Sequence, residues 1–98
     1  MINVIITKSP DIKKRFRIHF IDVASNMDIG SAFYENYTIH QNEARKNAYL
    51  KRHVKNEDWA NFYTKGFWAR WLLWNEPTIE KAIKYITNKF KMKILFIK

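Results

Sequence analysis

The chain has 98 residues, 47% hydrophobic and 16% aromatic, with no Cys and a formal charge of +9. One domain covering 1–98 with a real core is expected, and the lack of Cys excludes disulfides, thiolate zinc sites, iron–sulfur clusters and cysteine nucleophiles. The charge favours a polyanionic partner: nucleic acid, an anionic membrane surface or an acidic protein.

Ile2–Thr7 is short and β-branched, and Lys8-Ser9-Pro10-Asp11 supplies turn chemistry, so a strand is expected there. The same opening residues lack the basic stretch and long apolar run of a signal peptide, so secretion is not expected. Lys14–Ile21 alternates, with Phe16, Ile18 and Phe20 on one face and Arg15, Arg17 and His19 on the other. Ala24–Asn26 breaks that strand. A tight turn or bulge is expected at Asp28–Ser31, around Gly30, and a further strand segment around Tyr34–Ile39.

From Gln41 to about Asn56 the period becomes helical. Ala44, Ala48, Leu50 and Val54 share an apolar arc, while Arg45, Lys46, Tyr49, Arg52 and His53 lie on the opposite side. Glu57–Lys65 lacks a clean period and reads as a loop plugged by Trp59, Phe62 and Tyr63. Phe67–Trp74 reads as a short helix with only Arg70 polar, interrupted by Asn75-Glu76-Pro77-Thr78. Thr78–Phe90 is the most regular helix: Ile79, Ala82, Ile83, Ile86 and Phe90 on one side, Lys81, Lys84 and Asn88 opposite. Lys91–Ile97 alternates again, as a strand expected to pair with the N-terminal one. The expected architecture is α+β: a small, mainly antiparallel sheet of N-terminal strands plus a C-terminal strand, with about three helices on one side. No apolar run approaches the ~20 residues of a membrane span.

Positive charge is segregated along the chain. Residues 1–25 hold five basic and two acidic side chains, 41–55 five and one, 78–98 six and one, and 26–40 no Lys or Arg. An A/T-rich gene is the competing explanation, because thirteen Lys against five Arg, with nine Asn and thirteen Ile, would accumulate without selection for binding.

Tyr37-Thr38-Ile39-His40, then Ala44-Arg45-Lys46, Tyr49, Arg52-His53, Glu57 and Trp59, and finally Gly66-Phe67-Trp68-Ala69-Arg70-Trp71-Leu72-Leu73-Trp74-Asn75-Glu76-Pro77 form a distinctive series. Together with Lys8-Ser9-Pro10 and Lys14-Arg15-Phe16, it resembles an uncharacterised family of small basic proteins from large nucleocytoplasmic DNA viruses, such as mimivirus-like and algal viruses. The resemblance covers roughly residues 8–80. It implies a viral protein acting in the cytoplasm or nucleus of an infected cell, or inside the virion, and it carries over no catalytic residue.

The helix face of Arg45, Lys46, Tyr49, Arg52 and His53 is the leading candidate site, because Lys and Arg release counterions from phosphates and a tyrosine ring can stack on a base. The alternative is a solvated outer face. Lys13, Lys14, Arg15 and Arg17, with His19, would form a second phosphate stripe; charge that protects an edge strand is the alternative. Phe67, Trp68, Trp71 and Trp74 read as core or protein interface, and Trp68, Trp71 and Trp74 would dock a partner if exposed. His19, His40 and His53 lack metal-ligand spacing, so neither a metal nor a cofactor is expected. A nuclease built from Tyr37, His40, Arg45, His53 and Glu57 would need convergence that spacing does not supply, and two glycines leave no phosphate-cradling loop. The expected function is therefore non-catalytic binding of DNA or RNA through phosphates with low sequence specificity. The alternative is a virion structural or adaptor protein that meets an acidic viral partner.

Overall fold

Alternating β-branched and aromatic residues become neighbouring strands in the computed structural model, which describes residues 2–98. β1 (Ile2–Lys8) and β2 (Lys14–Phe20) form an antiparallel hairpin, and β3 (Ser25–Ser31) adds antiparallel to β2. β4 (Met92–Phe96) lies parallel to the other side of β1, giving a mixed sheet of order β3-β2-β1-β4. The register aligns Val4 with Phe20 and Ile94, and Ile6 with Ile18 and Phe96. The apolar residues thus gather on one face, and Val4, Ile6, Ile18, Phe20, Ile29 and Met92 are buried on it. Burial of each such side chain is worth about 1.5–3 kcal/mol. Ile5, Thr7, Arg17, His19 and Lys93 lie on the opposite face.

Among the described residues, four α-helices accompany the sheet: α1 (Tyr37–His40), α2 (Glu43–His53), α3 (Lys65–Trp68) and α4 (Ile79–Phe90). The core on the sheet's apolar face is completed by α3, the turn that follows it and α4. Each helix begins on a side chain that accepts a backbone N–H: Asn36, Asn42, Thr64 and Thr78. Such caps satisfy donors that a helix start leaves unpaired. Ala82 and Ile86 of α4 are buried on the sheet, and Lys81, Lys84 and Asn88 face water, as the period predicts. Lys91 then adopts a left-handed conformation, which turns the chain directly into β4.

Four expectations need correction. Residues 28–31 are not a turn: they complete β3 without a bulge, with Gly30 at φ +78° inside the strand. A Cβ at Gly30 would lie 2.9 Å from Leu73 Cδ1. Nor is 34–39 a strand, because Asn36 Oδ1 accepts the Thr38 N–H at 3.0 Å and starts α1. The tryptophan helix is not straight. After Trp68 it widens into a π turn over Ala69–Leu73, closed by Trp74 N–H donating to Ala69 O at 3.1 Å. The wider turn brings Leu72 and Leu73 into the core beside Phe67 and Trp68 and leaves Trp71 and Trp74 on its flanks. Finally, α2 presents the reverse of its expected face to the protein: Tyr49 is buried, while Ala44, Ala48 and Val54 are exposed.

The loop between α2 and α3 has no regular period but fixed attachments. Trp68 Nε1 donates to Phe62 O, and Trp71 Nε1 donates to Trp59 O, both at 2.7 Å. Two indole donors thereby find acceptors and pin the loop to α3 and the π turn.

Candidate functional site

The residues expected to bind as one helix face divide into two groups. The Tyr49 ring is stacked between Trp74, at 4.2 Å and 4°, and His53, at 4.1 Å and 21°. Burial, followed by the Glu57 charge, raises its phenol above the ordinary range. Lys46 Nζ donates to Asn75 O at 2.7 Å and lies 4.8 Å from the Tyr37 ring centre. His53 Nδ1 is 2.9 Å from Glu57 Oε2, and Glu57 also accepts from Trp59 Nε1. Tyr49 and Lys46 clamp α2 to the segment ahead of α4, and His53 ties its end to the loop that follows. Only Arg45 and Arg52 of the group remain exposed, and Arg45 Nη1 meets Glu35 at 3.4 Å.

The strand stripe is also largely committed. Arg17 donates to both oxygens of Asp28, at 2.8 and 2.9 Å, and Asp28 further accepts from Ser9 Oγ. Hydrogen bonding to Asp28 holds the Arg17 pKa up, and hydrogen bonding to Arg17 holds the Asp28 carboxyl down. His19 Nε2 lies 3.2 Å from Thr7 Oγ1. Lys13 is exposed in the β1–β2 turn.

The third basic stretch is divided between the two sides of the sheet. Because Met92 and Ile94 face the helices, Lys93 projects from the opposite side of the sheet to Lys81 and Lys84. Trp68 is fully buried, so it offers a partner no surface, and Trp71 and Trp74 are half-buried against the core. His40 contacts Trp74, and Trp74 and Tyr49 stand between it and His53. The Tyr37 hydroxyl donates to Glu43 instead, so the five-residue nuclease constellation does not converge. Among the described residues, no group of three His, Asp or Glu side chains is placed to hold a metal ion.

A different site emerges where the sheet outruns its helical cover. Alternation places Lys8 in phase with Val4 and Ile6, and Lys14 in phase with Phe16 and Ile18, all on the helix-facing side. Beyond the last core residues these two lysines face a cleft of about 480 Å³, closed by Thr38 and Ile39 of α1 and Ile79 of α4. Arg15 reaches the same cleft and is held there, its Nε donating to Ser31 O at 3.1 Å and its Nη2 to Tyr34 O at 2.8 Å. Ser9, Asn36, Phe16 and Ile12 complete the lining, which includes no Asp or Glu. The chain leaves the cleft wall at Ala32, and the next two residues, Phe33 and Tyr34, are 74% and 76% exposed. Two lysines at core-facing strand positions were the sequence signal for this site, but their common destination depends on α1 and α4.

The domain is thus an α+β sandwich of a mixed four-stranded sheet and a helical layer, with a cationic cleft at one end of the sheet. The chain belongs to a family of unknown function (DUF5754), whose model matches residues 4–53, from β1 to the end of α2. No curated protein and no solved structure matches the chain. Among the described residues, no helix is long and apolar enough to cross a membrane.

Proposed function

We propose that the protein binds nucleic acid, without catalysis, through phosphate contacts of low sequence specificity. The observation that carries this reading is unneutralised charge. Of eighteen Lys and Arg, only Arg17, Arg45 and Lys98 meet a carboxylate within 4.0 Å among the described residues. Apart from Lys46 and Arg70, which are tied to the carbonyls of Asn75 and Trp74, the remaining cations are available to displace counterions from a polyphosphate, and that release supplies most of the affinity in non-specific nucleic-acid binding. Resemblance of the segments around Tyr37–His40 and Gly66–Pro77 to proteins of large DNA viruses extends the reading to a viral protein working in infected cells or the virion.

The direct test incubates the pure protein with labelled mixed-sequence single strands and duplexes at low salt, with and without Mg²⁺. Retention of the nucleic acid with its length unchanged is expected. Absence of retention in both forms would remove the reading, and shortening of the strands would replace it with an enzymatic one.

The second reading, a virion adaptor, rests on a specific feature other than the tryptophan helix. Ile12 is 90% exposed in the β1–β2 turn, and Phe33 and Tyr34 are exposed just after β3, apolar surface that a partner protein would cover. Co-purification of an acidic viral protein in fixed stoichiometry, lost on Ile12→Asp, is the expected sign.

A further inference from the structure

We infer that the cleft at the end of the sheet holds an unpaired nucleotide, making the protein selective for single-stranded over duplex nucleic acid. The inference rests on the nucleic-acid reading above and names the substrate class of that binding.

Three features of the cleft carry it. Lys8, Lys14 and Arg15 converge with no carboxylate in the lining, so the complementary ligand is an anion. The Arg15 guanidinium is fixed by Ser31 O and Tyr34 O, which engage Nε and one N–H of Nη2 and leave both N–H groups of Nη1 as donors. The rest of the wall is largely apolar (Ile12, Phe16, Ile39), so a bare phosphate would leave it uncovered. A nucleotide satisfies both parts, and a volume of about 480 Å³ lies within the range of sites for ligands of that size. Exposed Phe33 and Tyr34 follow the cleft wall directly and supply rings on which neighbouring bases stack. Bases inside a duplex are paired and stacked on each other, and can use neither the cleft nor the rings.

The test measures fluorescence anisotropy of a labelled mixed-sequence 12-nucleotide strand and of the matching duplex. Tighter binding of the single strand is expected. Lys8→Gln with Lys14→Gln should weaken it about ten-fold or more, and Phe33→Ala with Tyr34→Ala about five-fold or more while sparing the duplex. Arg45→Glu with Arg52→Glu, neither of which lines the cleft, should have the smaller effect. Undiminished strand binding by the cleft variant, with loss in the Arg45/Arg52 variant, overturns the cleft and leaves the nucleic-acid reading intact. Equal affinity for strand and duplex overturns the selectivity. No binding of either form at about 50 mM salt removes both readings, and retention on phosphatidylserine vesicles instead would assign the cleft to a lipid. Should the double glutamine variant not fold, acylation of the wild-type lysines replaces it. Protection of Lys8 and Lys14 by the bound 12-mer is expected, and equal labelling with and without it contradicts the inference.

Discussion

The rings of Tyr49 and Trp74 lie parallel, 4° apart in plane with centres at 4.2 Å, and this contact sets which side of α2 faces the protein. Gln41 Nε2 donating to Pro77 O and Lys46 Nζ donating to Asn75 O flank it on the same segment. Tyr49→Ala should therefore cost about 3–5 kcal/mol, as for other buried aromatic truncations. Tyr49→Phe keeps the stacked ring and should stay within about 1 kcal/mol. Urea unfolding of both variants checks the pair.

Gly30 answers to a close approach as well as to backbone angle. At φ +78° with Leu73 Cδ1 2.9 Å from the position of a Cβ, Gly30→Ala meets strain from both sources. A loss of about 1–3 kcal/mol in urea unfolding is expected. An unchanged midpoint would mean that β3 moves away from Leu73 at no cost.

Trp71 Nε1 is the loop's attachment at Trp59 O. Trp71→Phe leaves that carbonyl without its donor, and should cost about 1–3 kcal/mol. Faster proteolysis between residues 55 and 64 should accompany it. Arg70, 4.3 Å from the Trp71 ring centre and 5.3 Å from that of Trp59, loses part of the same support.

Acid should destabilise the fold in two stages. Burial first, and the Arg45 charge second, hold the His40 pKa below the ordinary imidazole value. Unfolded His40 takes up the proton more readily, so its contribution is complete above about pH 6.5 and is lost as pH falls through the folded value. Protonation also removes the acceptor that Nδ1 offers to the Asn42 N–H at 2.9 Å. Further down, Asp28 is held low by Arg17, Asp22 by the Asn3 N–H, and Glu80 by its own backbone N–H and then Lys98. Their contributions are complete above the unfolded carboxylate range, near pH 4, and are lost as pH falls through their lower folded values. Thermal melts from pH 8 to 3 should show both stages, and His40→Gln should erase the first alone.

β1, β2, α4 and β4 were legible in the sequence because their apolar residues recur at the period of the element they form. β3 was not: Ser-Asn-Met-Asp-Ile-Gly-Ser has little intrinsic strand preference and is held by its antiparallel pairing with β2. α1 inverts the case, since Tyr-Thr-Ile reads as strand until Asn36 caps it. The face of α2 was misread because Ala44, Ala48 and Val54 outweigh Tyr49 in local pattern. Trp74, which decides the matter, lies 25 residues beyond Tyr49 in the chain. Lys14 and Arg15 stood out in the sequence by charge and both line the cleft, but Lys8 joins them there only through the hairpin register.

The salt dependence of binding to a single-stranded oligonucleotide tests the central claim most directly. Log K should fall linearly with log salt, at a slope of about −0.7 for each phosphate contacted. Lys8→Gln with Lys14→Gln should make that slope shallower by more than one. A flat dependence, or a slope that the two substitutions leave unchanged, would contradict it.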